Sequence, residues 1–186
     1  MREPAGILTF DRVVLRRWRP DDLDALERVI HESLEHLVPW MPWASDPPTR
    51  EDLADFLARN QEQWASGQAY AYGITSEGAL VGSCGLYRRI GPGGLDIGYW
   101  LHPGWTGRGL ATMTASALVR QGLRLAGVRH VEIRHDAANR ASAAVARRAG
   151  LTEAGRRPMP EGPTAPGEVG VEVVRRMTAD GFRAGS

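Results

Sequence analysis

Apolar positions along the chain change period several times, and each change marks an expected element. Ile7-Leu8-Thr9-Phe10 and Val13-Val14-Leu15, joined by Asp11-Arg12, predict two short strand pieces or a hairpin. After Arg19-Pro20-Asp21-Asp22, the positions Leu23, Leu26, Val29 and Ile30 fall at helical spacing behind a proline and two acids, a first helix. A second follows Thr49, which stands as an N-cap before Leu53, Phe56, Leu57 and Trp64, and it should end near Gly67. Tyr70 to Thr75 and Leu80 to Tyr87 suit strands that pair antiparallel through Ser76-Glu77-Gly78.

The turn from Arg88 to Gly94 leads into a strand in which Leu95, Ile97, Tyr99 and Leu101 alternate with Asp96, Gly98, Trp100 and His102. A glycine-rich turn, Gly104-Trp105-Thr106-Gly107-Arg108-Gly109, follows at once. Leu110, Met113, Ala117 and Leu118 then return to helical spacing, to about Ala126 before Gly127. Val128, Val131 and Ile133 begin a further strand, and Asn139 is placed to cap a short helix with Ala141, Ala144, Val145 and Ala149 on one face and Gly150 past its end. Leu151 to Arg157 reads as a strand, 158–170 as a mobile proline- and glycine-rich loop, and Val171 to Met177 as the final strand. With no repeat or second composition regime, residues 1–186 are expected to form one α/β (α+β) domain: a mixed sheet of about six to seven strands flanked by about four helices.

Composition narrows the function classes. The 186 residues are 42% hydrophobic and 24% charged, enough for a full core, and 23 basic against 22 acidic residues leave a net charge of +1. Nothing in that balance calls for nucleic acid as the main partner. Cys84 is the only cysteine, which excludes an internal disulfide and a cysteine-based zinc site and fits a reducing compartment. The five histidines are scattered without metal-ligand spacing, so no metal is expected. The start, MREPAGILTFDR, reads as neither a secretory signal nor a membrane span, and a cytoplasmic location is the default.

The glycine turn carries the chemistry. A strand ending at His102-Pro103, glycines at 104, 107 and 109 and a helix from about Leu110 expose the first amides of that helix, which have no partners within it. Glycine lets the backbone take positive φ and approach an anion, and the helix dipole with Arg108 favours a phosphate or pyrophosphate. Two common diphosphate motifs do not fit. The nucleotide P-loop needs a Lys after its second glycine, and a dinucleotide fingerprint opening at Gly107 would have Thr112 as its third glycine. The plainer alternative is that these glycines only turn the chain.

The run from Asp96 to Thr112, DIGYWLHPGWTGRGLAT, resembles the acetyl-coenzyme A motif of the GNAT superfamily. That motif is Gln or Arg, two variable residues, Gly, one variable residue, then Gly or Ala. Gly107 and Gly109 match its small positions; Gly104 replaces the opening Gln or Arg. The likeness extends through 128–134, 139–151 and the front segment 37–43, LVPWMPW, and this combination is similar to the RimJ/RimL branch, whose best known members acetylate the N-terminal α-amine of ribosomal proteins.

The resemblance implies acetyl transfer from acetyl-CoA to a primary amine by direct attack in a ternary complex. The expected acceptor is a protein N-terminal α-amine; a small-molecule amine (antibiotic, polyamine or amino-acid derivative) is the alternative, and a non-catalytic acyl-CoA-binding module is the reading from a different class. A homodimer is compatible with it. It places Trp100, Leu101 and His102 along the pantetheine arm, and Gly104, Thr106, Gly107, Arg108, Gly109, Leu110 and Ala111 around the pyrophosphate. Asn139 would bond the pantetheine and Ser142 protonate the leaving thiolate, although both are also ordinary residues at a helix start. Glu161 is the candidate base, with a solvated surface carboxylate as the other reading and Glu132 and Asp136 in reserve. Trp40, Met41, Trp43 and Trp64 either wall the acceptor pocket or fill core; Arg147 and Arg148 reach the adenosine 3′-phosphate or face solvent. His102 and His135 are expected near strand ends by the cleft, and Cys84 in the core.

Overall fold

The computed structural model describes residues 3–184. Its strands are β1 (Ile7–Phe10), β2 (Val13–Arg17), β3 (Ala69–Ser76), β4 (Ala79–Tyr87), β5 (Gly94–Leu101), β6 (His130–Asp136), β7 (Thr152–Pro158) and β8 (Val171–Thr178). Its helices are α1 (Leu23–His31), α2 (Leu34–Leu37), α3 (Arg50–Ser66), α4 (Leu110–Leu123), α5 (Arg140–Arg148) and α6 (Ala179–Ala184). The mixed α/β fold is the one expected, with eight strands and six helices where about six to seven and about four were anticipated. The extra helices, α2 and α6, are four and six residues long, too short to show a periodic apolar stripe.

Local chemistry explains the element ends. Thr49 and Asp52 form a reciprocal capping box at the start of α3, Asp52 Oδ2 accepting from Thr49 N at 2.9 Å, and Gly67 ends the helix at φ +73°. Asn139 Oδ1 accepts the Ser142 amide at 3.0 Å and starts α5. α4 closes earlier than expected: the amides of Arg124 and Leu125 bond back only three residues, to Gln121 and Gly122, so the chain tightens out of the helix before Gly127.

The sheet order is β1-β2-β3-β4-β5-β6-β8-β7, and only β5 and β6 pair in parallel. β7 is an outer edge, exposed along its whole length and lined by Glu153, Arg156 and Arg157, charges that discourage further strand pairing. Alternation along β5 puts Ile97, Tyr99 and Leu101 on one face and Asp96, Gly98 and Trp100 on the other. The first face carries the main core, where Tyr72, Ile74, Leu86 and Leu95 pack with Leu110 and Leu118 of α4. The second holds a smaller cluster of Trp18, Leu26, Ile30, Leu53, Leu57 and Ala71, against which Trp43, Phe56 and Trp100 are packed half-buried. Both faces of the central strands are thereby covered, α4 on one side and α1 with α3 on the other.

Segment 158–170 is tied down at several points. The Gly167 amide bonds Pro39 O at 2.9 Å, the Met159 amide bonds Gly170 O at 2.8 Å, and Ala165 is buried. The firmest tie is Asp136, whose two carboxylate oxygens accept the amides of Ala138, Val169, Gly170 and Val171 at 2.8–3.1 Å. Among the described residues no helix is long and apolar enough to cross a membrane, and no three or more His, Cys, Asp or Glu side chains gather as a metal site.

Candidate functional site

β5 and β6 pair only through Gly94↔His130, Leu95↔Val131 and Asp96↔Glu132. Beyond that point β5 stays with β4 and β6 with β8, so the two parallel strands splay apart. A cavity of about 1240 Å³ fills the fork. It is lined by Tyr99 from one face of β5 and by Asp96 and Trp100 from the other, so it threads the sheet from the α4 and α5 side to the α1 and α3 side. The β6-facing edge of Ile97–Leu101 lacks a neighbouring strand and can offer backbone groups to an extended ligand.

At the α4 end, Gly107 and Gly109 take φ of +73° and +80°, a conformation costly for any residue with a Cβ. No side chain caps α4, and a Cβ at Gly107 would meet nothing within 4 Å. Open space therefore lies before bare amides at a helix N-terminus, which is what a diphosphate requires. Thr106, Gly107, Gly109, Leu110 and Ala111 all line the cavity, so the residues present fit a coenzyme A pyrophosphate.

Three expected coenzyme contacts lie outside the cavity wall. The Arg108 guanidinium stacks 4.7 Å over the Trp105 ring while its carbonyl accepts Arg12 Nη2 at 2.9 Å, so its role here is to brace the turn. His102 turns away too: its Nδ1 accepts the Gly104 amide at 3.0 Å and its Nε2 lies 3.5 Å from Glu32 Oε2. A Cβ at Gly104 would stand 3.2 Å from His102 Nδ1, so the ring would have to give by a few tenths of an ångström to admit a side chain there.

Trp100, Leu101, Asn139 and Ser142 do line the cavity. Asn139 Oδ1 is engaged with the Ser142 amide, and Ser142 Oγ lies 2.9 Å from the hydroxyl of Tyr99. Burial pushes the Tyr99 phenol up to about 12, outweighing the opposite pull of its bond to Ser142. Tyr99 was counted among the apolar positions of its strand, and only its hydroxyl distinguishes it there.

Glu161 is not brought to this site. It is exposed between Pro160 and Gly162 and does not line the cavity, whereas Met159 and Glu168 of the same segment do. Asp96 reaches the cavity instead. It is only 4% exposed, its Oδ2 is 2.6 Å from Arg89 Nε, and its Oδ1 has no hydrogen-bond partner. Burial raises its pKa above the ordinary value despite Arg89. Its register partner Glu132 behaves oppositely: burial would raise it, but hydrogen bonds from Arg176 at 2.8 Å and Arg134 at 2.9 Å hold it below its ordinary value. Asp136 is occupied by four amides, and His135, pushed down by burial, has its Nδ1 2.8 Å from Asp136 O. Of the buried carboxylates beside the fork, Asp96 is the one with an uncommitted oxygen. Alternation in β5 marked it polar but not that it would be buried beside Arg89.

Trp40, Met41 and Trp43 line the front of the cavity, with the Trp43 ring 6.1 Å from that of Trp100, whereas Trp64 is core, edge-on to Tyr70 and Tyr72. Of the arginine pair on α5, Arg148 lines the cavity and Arg147 does not. Cys84 is buried, with its thiol pushed up by burial, yet part of it reaches the cavity wall.

Comparison with known proteins bears on this geometry. Residues 12–152 match the family described as Acetyltransferase (GNAT) domain. Among curated proteins, "Putative ribosomal N-acetyltransferase YdaF" of Bacillus subtilis (strain 168) is 23% identical over 153 residues, covering 78% of this chain and 81% of its own. Among solved structures, the ribosomal L7/L12 α-N-protein acetyltransferase RimL in complex with coenzyme A superposes with a TM-score of 0.84 at 22% identity, over 94% of this chain and 99% of its own. The microcin C7 self-immunity acetyltransferase MccE, in complex with acetyl-CoA and AMP, gives 0.81 at 18% identity, over 90% and 93%. With the family model matched over most of its length and its fold shared by these enzymes, the chain belongs to the GNAT acetyltransferase family.

Proposed function

We propose that this acetyltransferase moves the acetyl group of acetyl-CoA to the α-amine of a protein N-terminus, with Asp96 taking the proton from the amine and Ser142, backed by Tyr99, supplying one to the departing thiolate. The observation that carries the reading is the cavity through the fork, with the bare amides of α4 at one end and the free Asp96 oxygen at the other. Coenzyme lies on the α4 and α5 side and the acceptor on the α1 and α3 side. The neutral amine attacks; as the C–N bond forms and the C–S bond breaks, the nitrogen passes its surplus proton to Asp96, the sulfur receives one through the Ser142 and Tyr99 hydroxyls, and exchange with solvent returns both groups to their starting states.

An α-amine, with a reference pKa of about 7.7–8.0, needs less help losing its proton than a lysine amine at about 10.4. A single carboxylate with a raised pKa suits that lighter task. The relatives named above, one named a putative ribosomal N-acetyltransferase and the other an α-N-protein acetyltransferase, support the same acceptor class.

A thiol-release assay with acetyl-CoA tests this against peptides with free α-amines, the same peptides N-terminally blocked, polyamines and aminoglycosides. Release with free peptides alone is expected. Turnover of polyamines or aminoglycosides but not peptides would overturn the acceptor, and absence of calorimetric coenzyme A binding would overturn the donor. All 23 basic residues are arginine, so the enzyme contributes no lysine amine as background.

A further inference from the structure

The acceptor end of the cavity is built of two unlike materials. Trp43, Phe56 and Trp100, all half-buried, form an aromatic wall, with Met41 and Leu26 beside them. The charged groups on the same side are almost entirely spoken for. Glu172 is held by Arg157 at 2.6 Å, and Arg134 bonds Glu132. Glu168 accepts from Thr164 and Ala165 within its own loop. Asp52 is committed to its helix cap. Asp96 keeps one buried oxygen, Oδ1, without a hydrogen-bond partner, its other oxygen being held by Arg89; Arg59, Arg89 and Arg134 in the wall are each ion-paired in turn, with Asp55, Asp96 and Glu132.

From this juxtaposition we infer that the acceptor is a primary amine carrying a single positive charge and a bulky apolar group next to the amine, the amine meeting Asp96 and the apolar group packing on Trp43, Phe56 and Trp100. The inference rests on the acetyl-transfer reading above and narrows its acceptor. A polyamine or aminoglycoside brings several ammonium groups, each needing a partner when desolvated, and most carboxylates of the wall are already engaged while the aromatic face offers none. A small polar first residue would leave the aromatic wall without a contact. The same chemistry is offered by a peptide beginning with Leu, Met or Phe and by a free arylalkylamine.

The test measures kcat/KM with acetyl-CoA for peptides identical except for an N-terminal Phe, Leu, Ser or Gly, beside phenethylamine and spermidine. Phe and Leu peptides are expected to exceed Ser and Gly peptides by about 10-fold or more, the scale on which an apolar pocket discriminates. Phenethylamine matching the Phe peptide identifies a free amine as the source, and a Phe peptide far ahead of it identifies a chain terminus. In Trp43→Ala the Phe-to-Gly ratio should collapse toward unity. Equal use of Ser and Phe peptides, or spermidine as the best acceptor, would overturn the inference. Calorimetric ranking of the same ligands on the coenzyme A complex of the wild-type protein reads the pocket without turnover. Loss of turnover with the ranking intact would count against the transfer reading alone, and a flat ranking would count against the apolar pocket.

Discussion

The hydroxyls of Tyr99 and Ser142 lie 2.9 Å apart, one from the splayed half of β5 and the other from the first turn of α5. Both elements border the cavity, and the pair joins a strand that has lost its neighbour to a helix set by its Asn139 cap. Because burial pushes Tyr99 up to about 12, its hydroxyl stays protonated near neutral pH and is kept as a hydrogen-bond donor that can back Ser142 as the sulfur departs.

Ser142→Ala should therefore lower kcat by about 10²-fold with coenzyme affinity little changed, the size usual for a positioned acid. Tyr99→Phe should lose a similar factor, and the double variant little more, because the two hydroxyls act as one relay. Steady-state kinetics beside coenzyme A calorimetry decides this. Multiplicative losses would mean independent roles, and equal losses of binding in both variants would reduce the pair to a structural contact.

Much of the fold was legible because the chain punctuates itself: Gly67, Gly107, Gly109 and Gly150 all take positive φ where they end or begin helices. What escaped depended on tertiary cover. Asp96 and Glu132 look like the solvent face of their strands, yet they are 4% and 1% exposed, with Arg89 bonded to the one and Arg134 and Arg176 to the other. Periodicity gives the alternation but not what packs on each side. The segment around Glu161 has no period at all; its course is decided by amides that fold onto Asp136 and Pro39 from distant parts of the chain. A carboxylate placed there by resemblance alone could not be assigned to the cleft.

Gly82 is needed for a reason unrelated to φ. It faces Leu101 across the β4–β5 ladder, and a Cβ on it would come within 2.1 Å of Trp100 O and 3.0 Å of Leu101 Cα. Gly82→Ala must push back the stretch of β5 that borders the coenzyme cleft, an overpacking that costs about 1–3 kcal/mol. Coenzyme A binding measured by calorimetry should weaken, while Gly155→Ala, with nothing within 4 Å of its added Cβ, leaves binding unchanged. Unaltered affinity in Gly82→Ala would show that the strand yields without moving its ligand-facing edge.

His102 should act on coenzyme binding without touching the ligand. Its Nδ1 holds the Gly104 amide at 3.0 Å, and removing one such bond is worth about 0.5–1.5 kcal/mol. His102→Ala should raise the coenzyme A Kd by roughly 2- to 10-fold, and His102→Asn should recover part of that, since an amide oxygen can accept from the same turn. Placing a long side chain at position 104 in the His102→Ala background, as Gly104→Gln, tests whether the ring hinders one there. It should bind coenzyme better in that background than in the wild type, where the ring would have to give.

The Asp136 carboxylate supplies a pH signature. Burial acts to raise its pKa, but the amides of Ala138, Val169, Val171 and Gly170 outweigh burial and hold it below the ordinary carboxylate value. A depressed folded-state pKa stabilises the protein fully above the unfolded value, about 3.9, and that contribution disappears as pH falls through the folded value. Asp136→Asn replaces a charged acceptor of four amides with a neutral group, one end of which is a donor facing donors. The variant should melt below the wild type at pH 6–7, with 158–170 cut sooner by protease. The gap in Tm should narrow as both proteins are acidified toward pH 3, because the wild type then loses the charge the variant never had. A gap that stays constant with pH would place the cost in geometry and not in the charge of Asp136.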